Sequence, residues 1–199
     1  MINLLIARHG NTFDAGDIVL RVGRGTDIPL SNSGKLQAKA LGEYLHQYHP
    51  DIAAVYTSTL QRTISTAEIA LKSMNSKAPI QHLAMFDEID YGPDEGKPET
   101  QVIERIGLAA IKDWENSNTV PPGWRVDPEK ITNAWREFAA KMEEEFPDQT
   151  ILVVTSNGIA RFAPEHAVKL KTGAVSNLVV DQGHWRCSYA NQRAIVANE

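Results

Sequence analysis

Cysteine is almost absent from this 199-residue chain: Cys187 stands alone, so no internal disulfide can form. A disulfide-stapled secreted scaffold is thereby excluded, and the expected compartment is reducing. Cys187 reads as a semi-buried small hydrophobe near a strand. No apolar run approaches the ~20 residues that a membrane helix requires. The opening run through Ala7 is shorter than the apolar segment of a secretory leader and has no basic stretch before it. The expectation is a cytoplasmic protein with no membrane partner. Positive charge is also in deficit, with 20 Lys and Arg against 25 Asp and Glu and a net charge of -5. No basic stripe is present, which argues against a nucleic-acid partner, while a few clustered arginines can still attract a small anion. No Cys/His cluster has zinc spacing. No glycine-rich loop ends in Lys-Ser or Lys-Thr, and Val22-Gly23-Arg24-Gly25 lacks the rest of a dinucleotide fingerprint. Neither a metal nor a cofactor is implied.

What is present suits one α/β domain, with two small ones as the alternative. Hydrophobic residues make up 42% of the chain and charged residues 23%, enough to build a core. Asn3 to Ala7 is a short aliphatic run that predicts a buried strand, as do Ala53 to Tyr56, Ile80 to Phe86, Ile151 to Thr155 and Val175 to Val180. A last strand is expected near Ala194 to Ala197. Ser31 reads as an N-cap, with Leu36, Ala40, Leu41, Tyr44, Leu45 and Tyr48 at helical spacing after it. Leu60 to Leu71, Thr100 to Trp114 and Pro128 to Phe146 predict further helices, and another is expected after Gly158 until Pro164 ends or kinks it. Strands alternating with helices predict a three-layer α/β sandwich, a mostly parallel central sheet with helices on both faces.

Three of these strands end in polar residues, at Arg8-His9-Gly10, Thr57-Ser58 and Thr155-Ser156-Asn157-Gly158. Ligands of open parallel sheets bind outside the carboxyl ends of the strands. A neutral imidazole nitrogen can attack phosphorus and later leave, splitting one hard displacement into two easier ones. An arginine beside it supplies a permanent charge and a donor fork matched to phosphate oxygens. Arg8 with His9 therefore points to phosphoryl transfer.

Arg8-His9-Gly10-Asn11-Thr12 resembles the signature of the histidine phosphatase superfamily, which includes the cofactor-dependent phosphoglycerate mutases. Further segments match in order. They are Asp27 to Ser31 with Gly34 and Gln37-Ala38, Ser58 to Thr63 with Thr66-Ala67, Asp87 to Gly92 with Glu95-Gly96, and Val153 to Arg161. The resemblance implies that His9 is the nucleophile and Glu88 the acid, while Arg8 and Arg62 clamp the phosphate, with Thr12, Ser156 and Asn157 as further phosphate contacts. On residue pattern alone, Arg62 could equally be a solvated helix arginine, and Glu88 one of a loop of solvated acids.

The sequence departs from the family pattern in two places. Where the last motif carries a second histidine, this chain has Ser156. A lost charge-assisted hydrogen bond is worth roughly 1.5–3 kcal/mol. Ser156 retains a hydroxyl, Asn157 can cap the helix or donate its amide, and His184 is a remote replacement. Where the family often places a phosphate-contacting asparagine, this chain has Ala15, in a loop whose Arg21 and Arg24 are either phosphate contacts or solvent-facing. His46, His49, His82 and His166 read as surface or structural. Trp124 reads as core before pocket wall. The expected activity is a metal-independent phosphomonoester hydrolase working through a phosphohistidine on a small phosphorylated substrate. The alternatives are a phospholigand-binding protein without turnover, which Ser156 motivates, and a phosphosugar mutase, which the altered first loop disfavours.

Overall fold

The uninterrupted aliphatic runs form the middle of a six-stranded sheet whose order is β3-β2-β4-β1-β5-β6. The computed structural model describes residues 1–166 and 168–194. The strands are β1 (Ile2–Arg8), β2 (Ile52–Thr57), β3 (Ile80–His82), β4 (Thr150–Thr155), β5 (Val175–Asp181) and β6 (His184–Gln192). The helices are α1 (Asn32–Tyr48), α2 (Gln61–Ser73), α3 (Glu99–Ser117), α4 (Pro128–Glu145) and α5 (Asn157–Ala160). Pairings β3–β2, β2–β4 and β4–β1 are parallel, and β5 is antiparallel to both its neighbours.

Strands β1 and β4 are buried on both faces, which is why they lack apolar–polar alternation. Successive side chains point to opposite faces. Leu4 and Ile6 pack with Ile151, Val153 and the α4 residues Trp135, Phe138 and Met142. Leu5 and Ala7 pack with Leu152, Val154 and residues of α1 and α2, among them Leu41, Leu45, Ala67 and Ala70. The three-layer arrangement follows, with α1 and α2 on one face and α3 and α4 on the other.

Local signals set several boundaries. The Ser31 hydroxyl accepts from the Gly34 amide at 3.2 Å and starts α1. Asp127 accepts from Lys130 at 3.0 Å, and Pro128 opens α4. Other expectations need correction. The third strand stops at His82, and Ala84–Phe86 turns as a short 3-10 helix. α3 runs from Glu99 to Ser117 but breaks at Gly107, whose φ of 82° is outside the helical region. Beyond Gly158 the helix ends at Ala160, before Pro164 is reached. The final described strand is β6, and the strand expected near Ala194 to Ala197 falls on residues 195–197, outside the described residues. Strand β6 follows β5 through Gln182 and Gly183, both at positive φ, as a two-residue hairpin of the primed type requires. Its Trp185, Cys187 and Tyr189 alternate with exposed His184, Arg186 and Ser188, a period-two signal that was legible. Cys187 is half-buried on this strand, as expected.

Helices α1 and α2 cross at Gly42. A Cβ there would lie 2.3 Å from the Ala70 carbonyl oxygen. Gly→Ala within a helix ordinarily stabilises by about 1 kcal/mol. Gly42→Ala is expected to reverse that sign and destabilise by about 1–3 kcal/mol through overpacking, measured by denaturant unfolding. A gain in stability would mean that the two helices separate without cost.

Candidate active site

The parallel pairing brings the carboxyl ends of β1, β2 and β4 to one edge of the sheet. Arg8 pairs with Thr155, and the His9 amide donates to the Thr155 carbonyl at 3.1 Å. The register therefore sets Ser156 beside His9. At this edge lies a cavity of about 330 Å³ whose inner wall includes Arg8, His9, Thr12, Arg62, Glu88 and Asn157.

His9 is buried, and its Nδ1 lies 2.7 Å from the Gly10 carbonyl oxygen. A carbonyl oxygen only accepts, so that bond requires a hydrogen on Nδ1 and leaves the lone pair on Nε2. Burial holds the imidazole pKa well below 6.5, and the charges of Arg8 and Arg62 add to the effect. The Gly10 amide donates to Thr66 Oγ1 on α2 at 3.1 Å. A Cβ on Gly10 would lie 2.3 Å from the Gly34 carbonyl oxygen, so only glycine lets the segment after the histidine press against the start of α1.

Arg62 is fully buried in the first turn of α2, not solvated. Its two terminal nitrogens donate to the carbonyls of Thr26 at 2.9 Å and Gly23 at 3.1 Å. Arg8 donates to the Leu170 carbonyl at 2.9 Å. Burial lowers the pKa of both guanidiniums, which still remain charged.

Glu88 is separated from the acids around it by what those acids bind. Asp87 accepts from the Thr59 amide and hydroxyl. Asp90 accepts from the Gly92 amide and Arg125. Asp94 holds Arg105 and Trp124, and Glu95 holds the loop around Gly23. Glu88 is buried against the cavity, receiving the Ile89 amide at 2.9 Å and the Gly158 amide at 3.4 Å. Burial raises its pKa above 4.5 despite those amides and the nearby Arg62 and Arg8. A Cβ on Gly158 would fall 2.0 Å from Glu88 Oε1, so glycine there makes room for the carboxyl.

Ser156 is fully buried, and its hydroxyl has no hydrogen-bond partner among the described residues. It occupies the N-cap position of α5 without a side-chain capping bond. Asn157 does not cap either, since its amide oxygen accepts from the Leu170 amide at 2.9 Å while the residue lines the cavity. His184 is exposed at the β5–β6 turn and supplies nothing to the site. His166 is buried and bonded to Ser176. The two loop arginines diverge. Arg21 lines the cavity, paired with Glu99 and packed on the Tyr91 and Trp124 rings. Arg24 is half exposed beside Asp87. Trp124 is core, its indole N–H bonded to Asp94. The outer wall adds residues that sequence reasoning did not single out as site residues. Trp114 stacks under Arg161 at 4.3 Å, and Lys169 pairs with Glu115. Arg161 and Tyr91 lie within the motif segments quoted above, whereas Trp114 and Lys169 had no local signal. Among the described residues, no group of three His, Cys, Asp or Glu side chains is arranged to hold a metal ion, and no helix is long and apolar enough to cross a membrane.

The α/β sandwich thus gathers a buried histidine, two arginines and a buried carboxyl at one edge of its sheet. The model of the histidine phosphatase superfamily (branch 1) matches residues 4–194, and the chain belongs to that family. A phosphoglycerate mutase of Candida albicans is 33% identical over 129 residues, covering 64% of this chain and 51% of its own, so the chain spans about half that relative's length. PhoE of Bacillus subtilis, an uncharacterized phosphatase, is 29% identical over 94% of this chain and 92% of its own. The solved structure of Bacillus stearothermophilus YhfR matches with a TM-score of 0.78 at 23% identity, over 95% of this chain and 96% of that one, a likeness of fold.

The shift at His9 has a direct readout. In a nitrogen-15 NMR titration, its imidazole is expected to stay neutral, with the hydrogen on Nδ1, to well below pH 6.5. Arg62→Ala is expected to raise the midpoint, because one of the opposing charges is removed. An unshifted wild-type midpoint near 6.5 would contradict the electrostatic account.

Proposed function

We propose that the protein is a metal-independent phosphomonoester hydrolase that acts through a phosphohistidine on His9. The observation that carries this reading is a neutral Nε2 lone pair sharing one cavity with two guanidiniums and a carboxyl of raised pKa. Nε2 attacks the phosphorus of a bound monoester. The P–N bond forms as the P–O bond to the alcohol breaks, and Glu88 gives its proton to the departing oxygen. Water then attacks the phosphohistidine and passes a proton to the Glu88 carboxylate. The P–N bond breaks, and His9 and protonated Glu88 are restored. Arg8 and Arg62 hold the non-bridging oxygens, supplying the charge stabilisation that phosphoryl transfer demands.

The opposed pKa shifts suit this order of events. An ordinary carboxyl loses its proton before an ordinary imidazolium does. Here burial moves both in the useful direction, toward neutral imidazole with protonated carboxyl. Thr12 and Asn157 lie on the cavity wall and would be further phosphate contacts, whereas Ser156 is fully buried and is not among the residues lining the cavity, so its hydroxyl would be at most a donor in reserve. A cavity of about 330 Å³ suits a small phosphorylated substrate. Binding without turnover is the second reading, favoured by Ser156 alone.

The test is release of inorganic phosphate from a panel of phosphomonoesters, including a generic aryl phosphate, with His9→Ala in parallel. Turnover is expected to vanish in the variant while the fold persists, because among the described residues the His9 ring bonds only to its neighbour Gly10. Full activity in His9→Ala would end the mechanism, and an inactive wild type on a broad panel would favour binding alone. Ser156→Ala is expected to leave the melting temperature unchanged, since no protein partner is lost, and to lower kcat/KM up to about tenfold, the worth of one hydrogen bond. An unchanged rate would remove Ser156 from the phosphate site.

A further inference from the structure

Glu95 lies off the cavity wall, yet its carboxylate organises the turn that holds Arg62. It accepts from Thr26 Oγ1 at 2.6 Å, the Gly23 amide at 3.1 Å, the Tyr91 amide at 3.3 Å and the Gly25 amide at 3.5 Å. Gly23 and Thr26 are the two residues whose carbonyls accept from Arg62. One short turn is thus held by Glu95 through some of its groups and holds Arg62 through others. The amides of Gly23 and Gly25 and the Thr26 hydroxyl donate to the carboxylate, while the carbonyls of Gly23 and Thr26 accept from the guanidinium. The fit is close. A Cβ on Gly23 would stand 1.9 Å from Glu95 Oε1 and 2.6 Å from the Ile89 carbonyl oxygen, so only glycine allows the carboxylate to nest there.

Arg62 depends on this turn more than a surface arginine would. It is fully buried, and among the described residues it forms no ion pair with a carboxylate and its Nε has no partner. The Thr26 and Gly23 carbonyls are its side chain's hydrogen-bond acceptors among the described residues. If the turn relaxes, both anchors shift together and the fork no longer presents its free donors to the cavity.

We infer that Glu95 is a positioning residue: it sets the Arg62 guanidinium for phosphate by fixing the turn from Gly23 to Thr26, without itself touching substrate. The inference rests on the phosphate-binding reading of Arg62 proposed above. Misplacing a binding group by about 1 Å can cost up to ~10²-fold in rate. Glu95→Gln keeps the shape but replaces one acceptor oxygen with an amide that faces N–H groups.

The test measures the affinity of inorganic phosphate by calorimetry, which needs no turnover, for wild type, Glu95→Gln, Arg62→Ala and the double variant, with thermal melts alongside. Glu95→Gln is expected to weaken phosphate by roughly tenfold with little change in melting temperature, within the range that mispositioning produces. In the Arg62→Ala background it is expected to have no further effect. Thr26→Val removes only the hydroxyl contact and keeps both carbonyls. It is expected to weaken phosphate by a smaller factor, which provides the measurement should Glu95→Gln fold poorly. Arg62→Ala weakening phosphate while Glu95→Gln and Thr26→Val leave it unchanged overturns this inference alone. Equal losses from Glu95→Gln in both backgrounds also overturn it, since Glu95 would then act apart from Arg62. Phosphate affinity unmoved by Arg62→Ala overturns the phosphate role of Arg62, and this inference with it.

Discussion

Two guanidiniums, those of Arg8 and Arg62, sit at the carboxyl edge of the sheet with backbone carbonyls as their side-chain hydrogen-bond acceptors among the described residues. Burying a charge without a charged partner is costly unless its hydrogen bonds are made. The fold meets that requirement in part by bending two loops inward, leaving the Nε of each arginine without a partner among the described residues. The turn from Gly23 to Thr26 covers Arg62, and the segment at Leu170 covers Arg8. These positive charges also help to keep His9 neutral. Their pull on Glu88 is toward ionisation, and burial outweighs it. The protonation states of the site are therefore properties of the whole strand edge rather than of single residues.

The same edge explains the glycines. Gly10 lets the chain after β1 lie against Gly34, and Gly158 leaves room for the Glu88 carboxyl. Both contacts are between segments far apart in sequence. Thr66 accepts from the Gly10 amide and donates to the Arg62 carbonyl, tying α2 to the residue after His9. Thr155 donates to the Phe86 carbonyl and so ties β4 to the approach to Glu88. Strand ends that ligand binding would favour on topology alone are locked in mutual register by these side chains.

How much of this was legible in the sequence follows from the range of the interactions. Strands β1 and β4 and helix α1 announce themselves by local patterns, aliphatic runs and a serine cap. Strand β6 was not among the expected strands, although its residues alternate, because its exposed face and the turn before it are polar. The break at Gly107 was not, because a helical apolar pattern continues through it, from Val102 to Ile111 and Trp114. For the site, the motif segments contained His9, Arg8, Arg62 and Glu88. They did not separate Glu88 from Asp87, Asp90, Asp94 and Glu95, because the partners that occupy those four acids lie mostly in other segments. Arg21 and Arg24 looked equivalent for a similar reason. Arg21 is drawn inward by backbone bonds to Lys97 and Gly96, and nothing local encodes that bridge.

The serine at position 156 bears on the choice between hydrolysis and mutase chemistry within the proposed mechanism. A buried imidazole at that position would stand beside His9 and near the charges of Arg8 and Arg62. The forces that depress the His9 pKa would act on it as well, so it would contribute mainly as a neutral donor. In that mechanism the Ser156 hydroxyl would offer a neutral donor too, in a smaller volume and from a residue that does not line the cavity. The difference lies in reach, and a shorter donor holds a phosphate oxygen less firmly. A mutase must retain and reuse its phosphoryl group across two binding events, whereas a hydrolase needs the phosphate to leave. Weaker retention costs a mutase its catalytic cycle and costs a hydrolase only part of its binding. A serine here, with both guanidiniums and the buried carboxyl kept, is the combination that a hydrolytic site can tolerate.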